Sequence, residues 1–483
     1  MSRESIEAAL LGENNRRCEP PVAESEIRSI VASVVRYPPA DTDGRTQATD
    51  APTGNVGAPQ GNVEAERDRP SFEQKWESFR GEGQGERVSN IADVVCAFQD
   101  RLYMPDPGLV HVTLAAYAAN LLAGSPLWLL LVGPPSSGKT DILNALRLLP
   151  CLHPAATLTE GSLLSGTSKR DRTKDSTGGL LRQIGDFGII VAKDFTSVLS
   201  MHPEARCAVL AALREVYDGE WTRLVGTDGG RELHWKGKVA FIGGVTPVLD
   251  QHQGVMAAMG ERFIYYRLPS TDPEQQALRA IENSGRSREI AQELADSVAQ
   301  LFRGVILRRQ ERNSCADASR FVSLATLTAH SRSAVIRDAR TREVELVPES
   351  EMPARLAQTL ISLDDGLAVI GTNPAERWRL VCKVALDSLP ALRRRALFAA
   401  IESDVGLSAA EFAIRVQHPT TTVRRALEDL AAHGVLRRRR DRSADTWEAT
   451  AKTRSRWEAA GLLLPAQLED VSTEALSIVV EAA

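Results

Sequence analysis

The chain has 483 residues, 43% of them hydrophobic and 25% charged, which is the composition of a folded globular protein and excludes a disordered or fibrous one. That length exceeds one ordinary core and calls for two or three domains. The net charge of −5 excludes binding to nucleic acid through the charge of the whole molecule, so any basic surface has to be local.

Cys18, Cys96, Cys151, Cys207, Cys315 and Cys382 stand singly, without a C-x-x-C pair. Neither a zinc site nor a disulfide framework is expected, and reduced thiols point to a cytoplasmic protein. The longest strongly apolar run, Leu127 to Val132, is too short to cross a bilayer. The opening Met1-Ser-Arg-Glu-Ser lacks an apolar signal region, so no membrane partner is expected.

Residues 1–37 are expected to be helical, with Ile27, Ile30, Val31, Val34 and Val35 on one stripe. Residues 38–90 begin with a stretch rich in Pro, Gly, Asp, Thr and Asn and read as a flexible linker. An α/β core is expected over 91–270, with a helix at Leu109–Leu122 and a buried strand at Leu127–Val132. A helix at Asp141–Leu149 and apolar strands at Gly188–Ala192 and Val239–Ile242 follow. Strands alternating with helices predict a parallel sheet.

Gly133-Pro134-Pro135-Ser136-Ser137-Gly138-Lys139-Thr140 matches G-x-x-x-x-G-K-[ST] in full, between an apolar strand and a helix as a phosphate-binding P-loop requires. Gly133 and Gly138 allow the tight turn, and backbone N–H groups then face the phosphates of ATP. In this pattern Lys139 contacts the β- and γ-phosphates and Thr140 ligates Mg²⁺.

The next strand, Ile189 to Phe195, ends in Lys193-Asp194, where a carboxylate reaches Mg²⁺ or the attacking water. An amphipathic helix is expected from Met201 to Tyr217, stopped by Gly219. A hairpin follows around Thr227-Asp-Gly-Gly230. The strand Val239-Ala-Phe-Ile then runs into Gly243-Gly-Val-Thr246, and Gly260-Glu-Arg-Phe-Ile-Tyr-Tyr-Arg267 comes after it.

This order of parts, over roughly residues 105 to 270, resembles the AAA+ ATPases of the branch that holds minichromosome-maintenance helicases and bacterial enhancer-binding activators. The resemblance implies that Thr246 is a sensor-1 residue. It implies that Arg262 and Arg267 are arginine fingers reaching a neighbouring subunit in a ring, most often a hexamer. The family expects Asp-Glu where this chain has Lys193-Asp194. Asp194 then stands in the place of the catalytic Glu and Lys193 in that of the metal-ligating Asp. A lysine does not ligate Mg²⁺, so Asp194 serves both roles, Asp186 assists, or turnover is slow. The activators' G-A-F-T-G-A loop is missing. Its place holds Lys169, Arg170, Arg172 and Lys174, a basic loop suited to the phosphate backbone of DNA in a ring pore. Asn14 to Tyr37 is similar to the C-terminal helical segment of phage and plasmid primases, which implies the helicase half of a primase–helicase and a primase as partner.

Residues 271–385 are expected to form a helical lid, with Arg332 and Arg337 as candidates for the sensor-2 arginine such lids carry. Residues 386–460 resemble a winged helix, and 461–483 form a tail. In that unit Ser408 and Glu411 make a capping box. Thr420, Thr421, Thr422, Arg424 and Arg425 lead the recognition helix, and Arg437, Arg438, Arg439 and Arg440 lie on the wing. Residues 393–442 hold eleven arginines and six acidic residues, a local net of +5, which suits DNA phosphate. The leading expectation is an ATP-driven, helicase-like motor in phage- or plasmid-type replication. The alternatives are an ATP-dependent transcription regulator and a nucleotide-binding scaffold with little turnover.

Overall fold

The computed structural model describes residues 70–82, 89–166, 178–226, 230–269, 272–308, 315–338, 340–440 and 444–463, with Glu24. The expected N-terminal helical stripe, the basic loop Lys169–Lys174, the tip of the expected hairpin and most of the tail lie outside them. The chain divides into two units, Met1–Glu64 and Ala65–Ala483, and every element below belongs to the second.

A described helix lies inside the expected linker, ahead of its boundary at residue 90. A helix runs from Phe72 to Gly81, opened by Ser71 and Gln74 in a capping box. It buries Trp76 and Phe79, and the Phe72 ring meets that of Phe187 edge-on at 5.1 Å. Three large aromatics in a stretch otherwise polar and charged are enough to anchor one short helix.

The core is a five-stranded parallel sheet in the order β2–β3–β6–β1–β7. Its strands are β1 (Trp128–Val132), β2 (Leu152–Pro154), β3 (Phe187–Ala192), β6 (Lys238–Val245) and β7 (Phe263–Arg267). A separate antiparallel hairpin joins β4 (Glu220–Val225) to β5 (Arg231–Lys236). Every residue of β1 and β7 is buried, as continuous apolar runs in parallel sheets require when both faces are covered. On one face Trp128, Phe195, Phe241 and Phe263 cluster with ring centroids 4.9–5.7 Å apart. On the other, the helix Gly108–Leu121 is buried almost all round and packs against the helix Ala354–Val369. A Cβ on Gly366 would lie 2.1 Å from the Ala115 carbonyl oxygen, so only glycine lets these two helices approach so closely.

The region 272–385 is mainly helical: Pro273–Glu282, Ser287–Arg303, Cys315–Arg332, Ala354–Val369 and Pro374–Asp387, with a small hairpin of β8 (Ile336–Arg337) and β9 (Val344–Leu346). Residues 391–459 build a separate hydrophobic cluster around Leu397, Phe412, Leu427 and Trp447. Its elements are the helices Ala391–Glu402, Ala409–Val416 and Thr420–Ala432, then β11 (Leu436–Arg439), β12 (Thr446–Ala449) and a closing helix Ala451–Ala459. Ser408 and Glu411 form the expected capping box. The two-residue strand β10 (Leu407–Ser408) pairs with β12 and completes a three-stranded sheet. It is too short to show a period in sequence. Among the described residues no helix is long and apolar enough to cross a membrane.

Candidate functional site

β1 delivers the chain to Gly133, whose N–H donates to the Val245 carbonyl at 3.1 Å. Two left-handed residues then shape the loop, Ser136 at φ 62° and Gly138 at φ 83°. A Cβ on Gly133 would sit 2.8 Å from Ser137 Oγ, so a side chain there would displace the hydroxyl that Lys139 holds. Pro134, Pro135, Ser136 and Thr140 are exposed, while Lys139 folds beneath the loop at 8% exposure. Its ammonium donates to the carbonyl of Gly133 at 2.7 Å, to that of Pro134, and to Ser137 Oγ at 3.0 Å. Burial lowers the Lys139 pKa, and the nearby Asp194 carboxylate acts against that shift.

Asp194 follows β3 and is exposed. Its Oδ1 accepts the Thr196 N–H at 2.9 Å. Thr196 Oγ1 in turn accepts the Thr246 N–H at 3.1 Å and lies 3.3 Å from Thr246 Oγ1. The carboxylate after β3 and the threonine after β6 are therefore joined through one hydroxyl that sequence reasoning did not single out. A Cβ on Gly244 would lie 2.7 Å from the Lys193 carbonyl oxygen, which is why the two strand ends can run so close. Asp186 does not share this edge. It precedes β3 while Asp194 follows it, roughly 25 Å apart along an extended chain, so it is no substitute carboxylate.

Among the described residues no three His, Cys, Asp or Glu side chains gather as a metal centre. Thr140 and Asp194 suit a hard cation that takes its remaining oxygens from water and phosphate. Beside the loop a cleft of about 130 Å³ is lined by Tyr103, Asp106, Leu109, Ser137, Gln276 and Asn283 among others. Gln276, on the helix Pro273–Glu282, donates to the Ser136 carbonyl and so ties that helix to the loop.

The two expected arginine fingers are placed otherwise. Arg267 is 7% exposed. It grips Asp250 through both terminal nitrogens at 2.9 and 2.7 Å, and donates to the carbonyls of Asp387 at 2.8 Å and Leu389 at 3.0 Å. A buried guanidinium with all three nitrogens engaged inside the fold is not free to reach a neighbour. Arg262 is 6% exposed, bonded to Asp218 at 2.6 Å and to the Met259 carbonyl, and stacked over Tyr217. On the other hand, Arg355 is exposed, flanks the same Tyr217 ring, and donates to the Gly260 carbonyl at 2.6 Å. The sensor-2 candidates are structural as well. Arg332 is 1% exposed and bound to Glu351 at 2.8 and 2.9 Å. Arg337 bridges to Glu428 and Asp429.

In the C-terminal unit Thr421, Arg424 and Arg425 are exposed at the start of the helix Thr420–Ala432. Neither Arg424 nor Arg425 has a side-chain partner among the described residues. The strand arginines differ. Arg437 and Arg439 share the Glu448 carboxylate and Arg438 pairs with Asp445. Arg437 holds the Glu448 pKa low. Arg440 follows them and is exposed. The run of four is therefore a weaker cationic patch than its composition implies.

Residues 1–40 match the family described as primase C terminal 1 (PriCT-1). No curated protein matches the chain. Two solved structures, both apo forms of the NrS-1 C-terminal region, are similar at 9% identity. One covers 62% of this chain and 67% of the other at a TM-score of 0.27. The second covers 76% of each at 0.26. Likeness of that size carries no argument about function.

Proposed function

We propose that Ala65–Ala483 is an AAA+ protein whose P-loop, Gly133 to Thr140, binds ATP with Mg²⁺, and that the whole chain works on DNA in phage- or plasmid-type replication. The observation that supports this most is the meeting of Lys139, Asp194 and Thr246 at one edge of the parallel sheet. Lys139 exchanges its loop carbonyls for the β- and γ-phosphates, while loop N–H groups donate to the anion. Thr140 and Asp194 hold the cation, which supplies charge neutralisation at the phosphates when bound. Thr196 keeps Asp194 and Thr246 in register. The match of residues 1–40 to a primase C-terminal family supports the replication setting and a primase as partner.

Lys193 at the metal-ligand position makes tight binding with slow turnover the expected behaviour, which is also what a scaffold would show. Measuring the ATPase rate with and without single-stranded DNA separates the two. Strong stimulation supports the motor. Tight binding with no turnover under either condition supports the scaffold. Lys193→Asp is expected to raise the rate by about tenfold or more, since a carboxylate there adds a cation ligand. For a hexameric ring, the cation that meets the neighbour's phosphate is Arg355, with Arg262 positioning it across Tyr217. An excess of Lys139→Ala subunits mixed with Arg355→Ala subunits then loses activity non-additively, and a strict monomer with ATP present overturns the ring. The C-terminal unit is read as a winged helix that meets duplex DNA with Thr421, Arg424 and Arg425, and Arg440 adds phosphate contact.

A further inference from the structure

Asp250 lies in the tight turn Pro247–His252, which begins at Thr246, and it holds two separate parts of the fold. Its carboxylate takes both terminal nitrogens of Arg267, and its Oδ1 also accepts the Ala391 N–H at 3.3 Å. Ala391 is the first residue of the helix that opens the C-terminal unit. Arg267 then passes the connection to Asp387, whose Oδ2 accepts the Arg267 N–H at 2.8 Å. Asp387 also takes Lys383 at 2.9 Å and Arg394 of that same first helix. The neighbouring Arg393 is bound to Asp429 at 2.8 Å and to the Ser333 carbonyl at 2.6 Å, and Asp429 sits on the helix Thr420–Ala432.

We infer that this chain is a coupling device. Phosphate engaged at Thr246 shifts the Pro247–His252 turn, and Asp250 carries the shift through Arg267 and Ala391 to the helices of the C-terminal unit. The inference rests on the nucleotide reading above. Its physical basis is stiffness: Arg267 is 7% exposed, paired with Asp250 through two hydrogen bonds and tied to Asp387 through two more that involve backbone groups, and a buried charge is not readily parted from such partners. The turn therefore moves with the first helix of the C-terminal unit or does not move at all. Short 3₁₀ turns are common hinge elements, and this one has the phosphate-edge threonine at one end and the interdomain carboxylate four residues on. Coupling is reciprocal, so whatever the C-terminal unit binds changes nucleotide affinity by the same factor.

Hydrogen exchange on the full chain, with and without ATPγS and Mg²⁺, tests this without requiring a DNA ligand. The wild type is expected to show slowed exchange at the loop 133–140. It is also expected to show an exchange change of about fivefold or more, the low end of typical coupling, in the helices Ala391–Glu402 and Thr420–Ala432. Asp250→Asn keeps the shape but drops the charge, and is expected to retain the loop protection while losing the remote change. Ala391→Pro removes only one N–H at a position where helices tolerate proline; it stands in if Asp250→Asn fails to fold, and is expected to reduce the remote change rather than abolish it, since Arg267 still joins Asp250 to Asp387. Loop protection with no remote change in the wild type overturns the coupling and leaves the nucleotide reading intact. So does a remote change that persists at full size in the variant. Absence of loop protection overturns both.

Discussion

Lys139 and Arg437 are both held by acceptors on their own chain, and the acceptors differ in kind. Lys139 is bound to two carbonyls and a hydroxyl, which are neutral dipoles. An arriving phosphate is a better partner than a dipole, and Lys139 keeps its charge to offer. Arg437 is bound to Glu448, a full negative charge that it shares with Arg439. To reach DNA phosphate those arginines must first leave a carboxylate, which cancels one of their two charges. Arg267 and Arg332 are a third case, buried among carboxylates and unable to leave. What a cation can do follows from what restrains it more than from its residue type.

The largest expected effect lies in that third class. Arg267→Ala leaves Asp250 without its cation and the Asp387 and Leu389 carbonyls without a buried donor, and is expected to destabilise Ala65–Ala483 by about 3–5 kcal/mol. Arg424→Ala, at an exposed site, is expected to change stability by less than about 0.5 kcal/mol. Chemical denaturation of the two variants side by side checks this, and equal effects would break the comparison.

Glu261 gives the next effect. It is held at a left-handed φ of 48° with its carboxyl 9% exposed. Burial raises its pKa from 4.5 to about 7, Arg332 pulls it down and Glu351 pushes it up. Arg393, Tyr265, Arg267 and Asp250 are further charged and titratable groups of this cluster. The folded carboxyl holds its proton more tightly than the unfolded one. Its stabilisation is therefore complete below about pH 4.5 and is lost as pH rises to about 7. Across that window the loss amounts to roughly 3 kcal/mol. Glu261→Gln is expected to flatten the fall in melting temperature between pH 5 and pH 7.5, and an unchanged fall would rule out Glu261 as its source.

A smaller effect separates the two sets of C-terminal arginines. Replacing Arg424 and Arg425 together with Ala is expected to weaken duplex binding and to reduce the dependence on salt by about 1 per residue. Arg437→Ala is expected to do much less. Glu448→Gln releases Arg437 and Arg439 and is expected to tighten binding severalfold. A fluorescent-duplex titration across salt concentrations measures all three, and the reverse ranking would place the contact on the wing.

The parts of this account that depend on backbone were open to sequence reading. Gly133, Gly138 and the apolar runs of β1, β3 and β6 announce a turn and a parallel sheet, because few other residues satisfy those conformations. The side-chain assignments travelled less well. Arg262, Arg267, Arg332 and Arg337 stand in the sequence as cations without visible partners, and folding places each against a carboxylate distant in sequence: Asp218, Asp250, Glu351 and Asp429. No local pattern reveals such pairs. Thr196 escaped for the same reason, since its hydroxyl matters only once β3 and β6 lie side by side. The helix Phe72–Gly81 lies in the expected linker because three aromatics anchor it against residues far along the chain.

The central claim is that Lys139 is restrained by groups a phosphate can replace. Calorimetric titration of the full chain with ATP and Mg²⁺, wild type against Lys139→Ala, tests it most directly. The account predicts saturable binding at one site per chain in the wild type and loss of at least about two orders of magnitude in affinity in the variant, the size expected when a charged contact to phosphate is removed. Equal affinity in the two proteins would contradict it and move the nucleotide away from the loop.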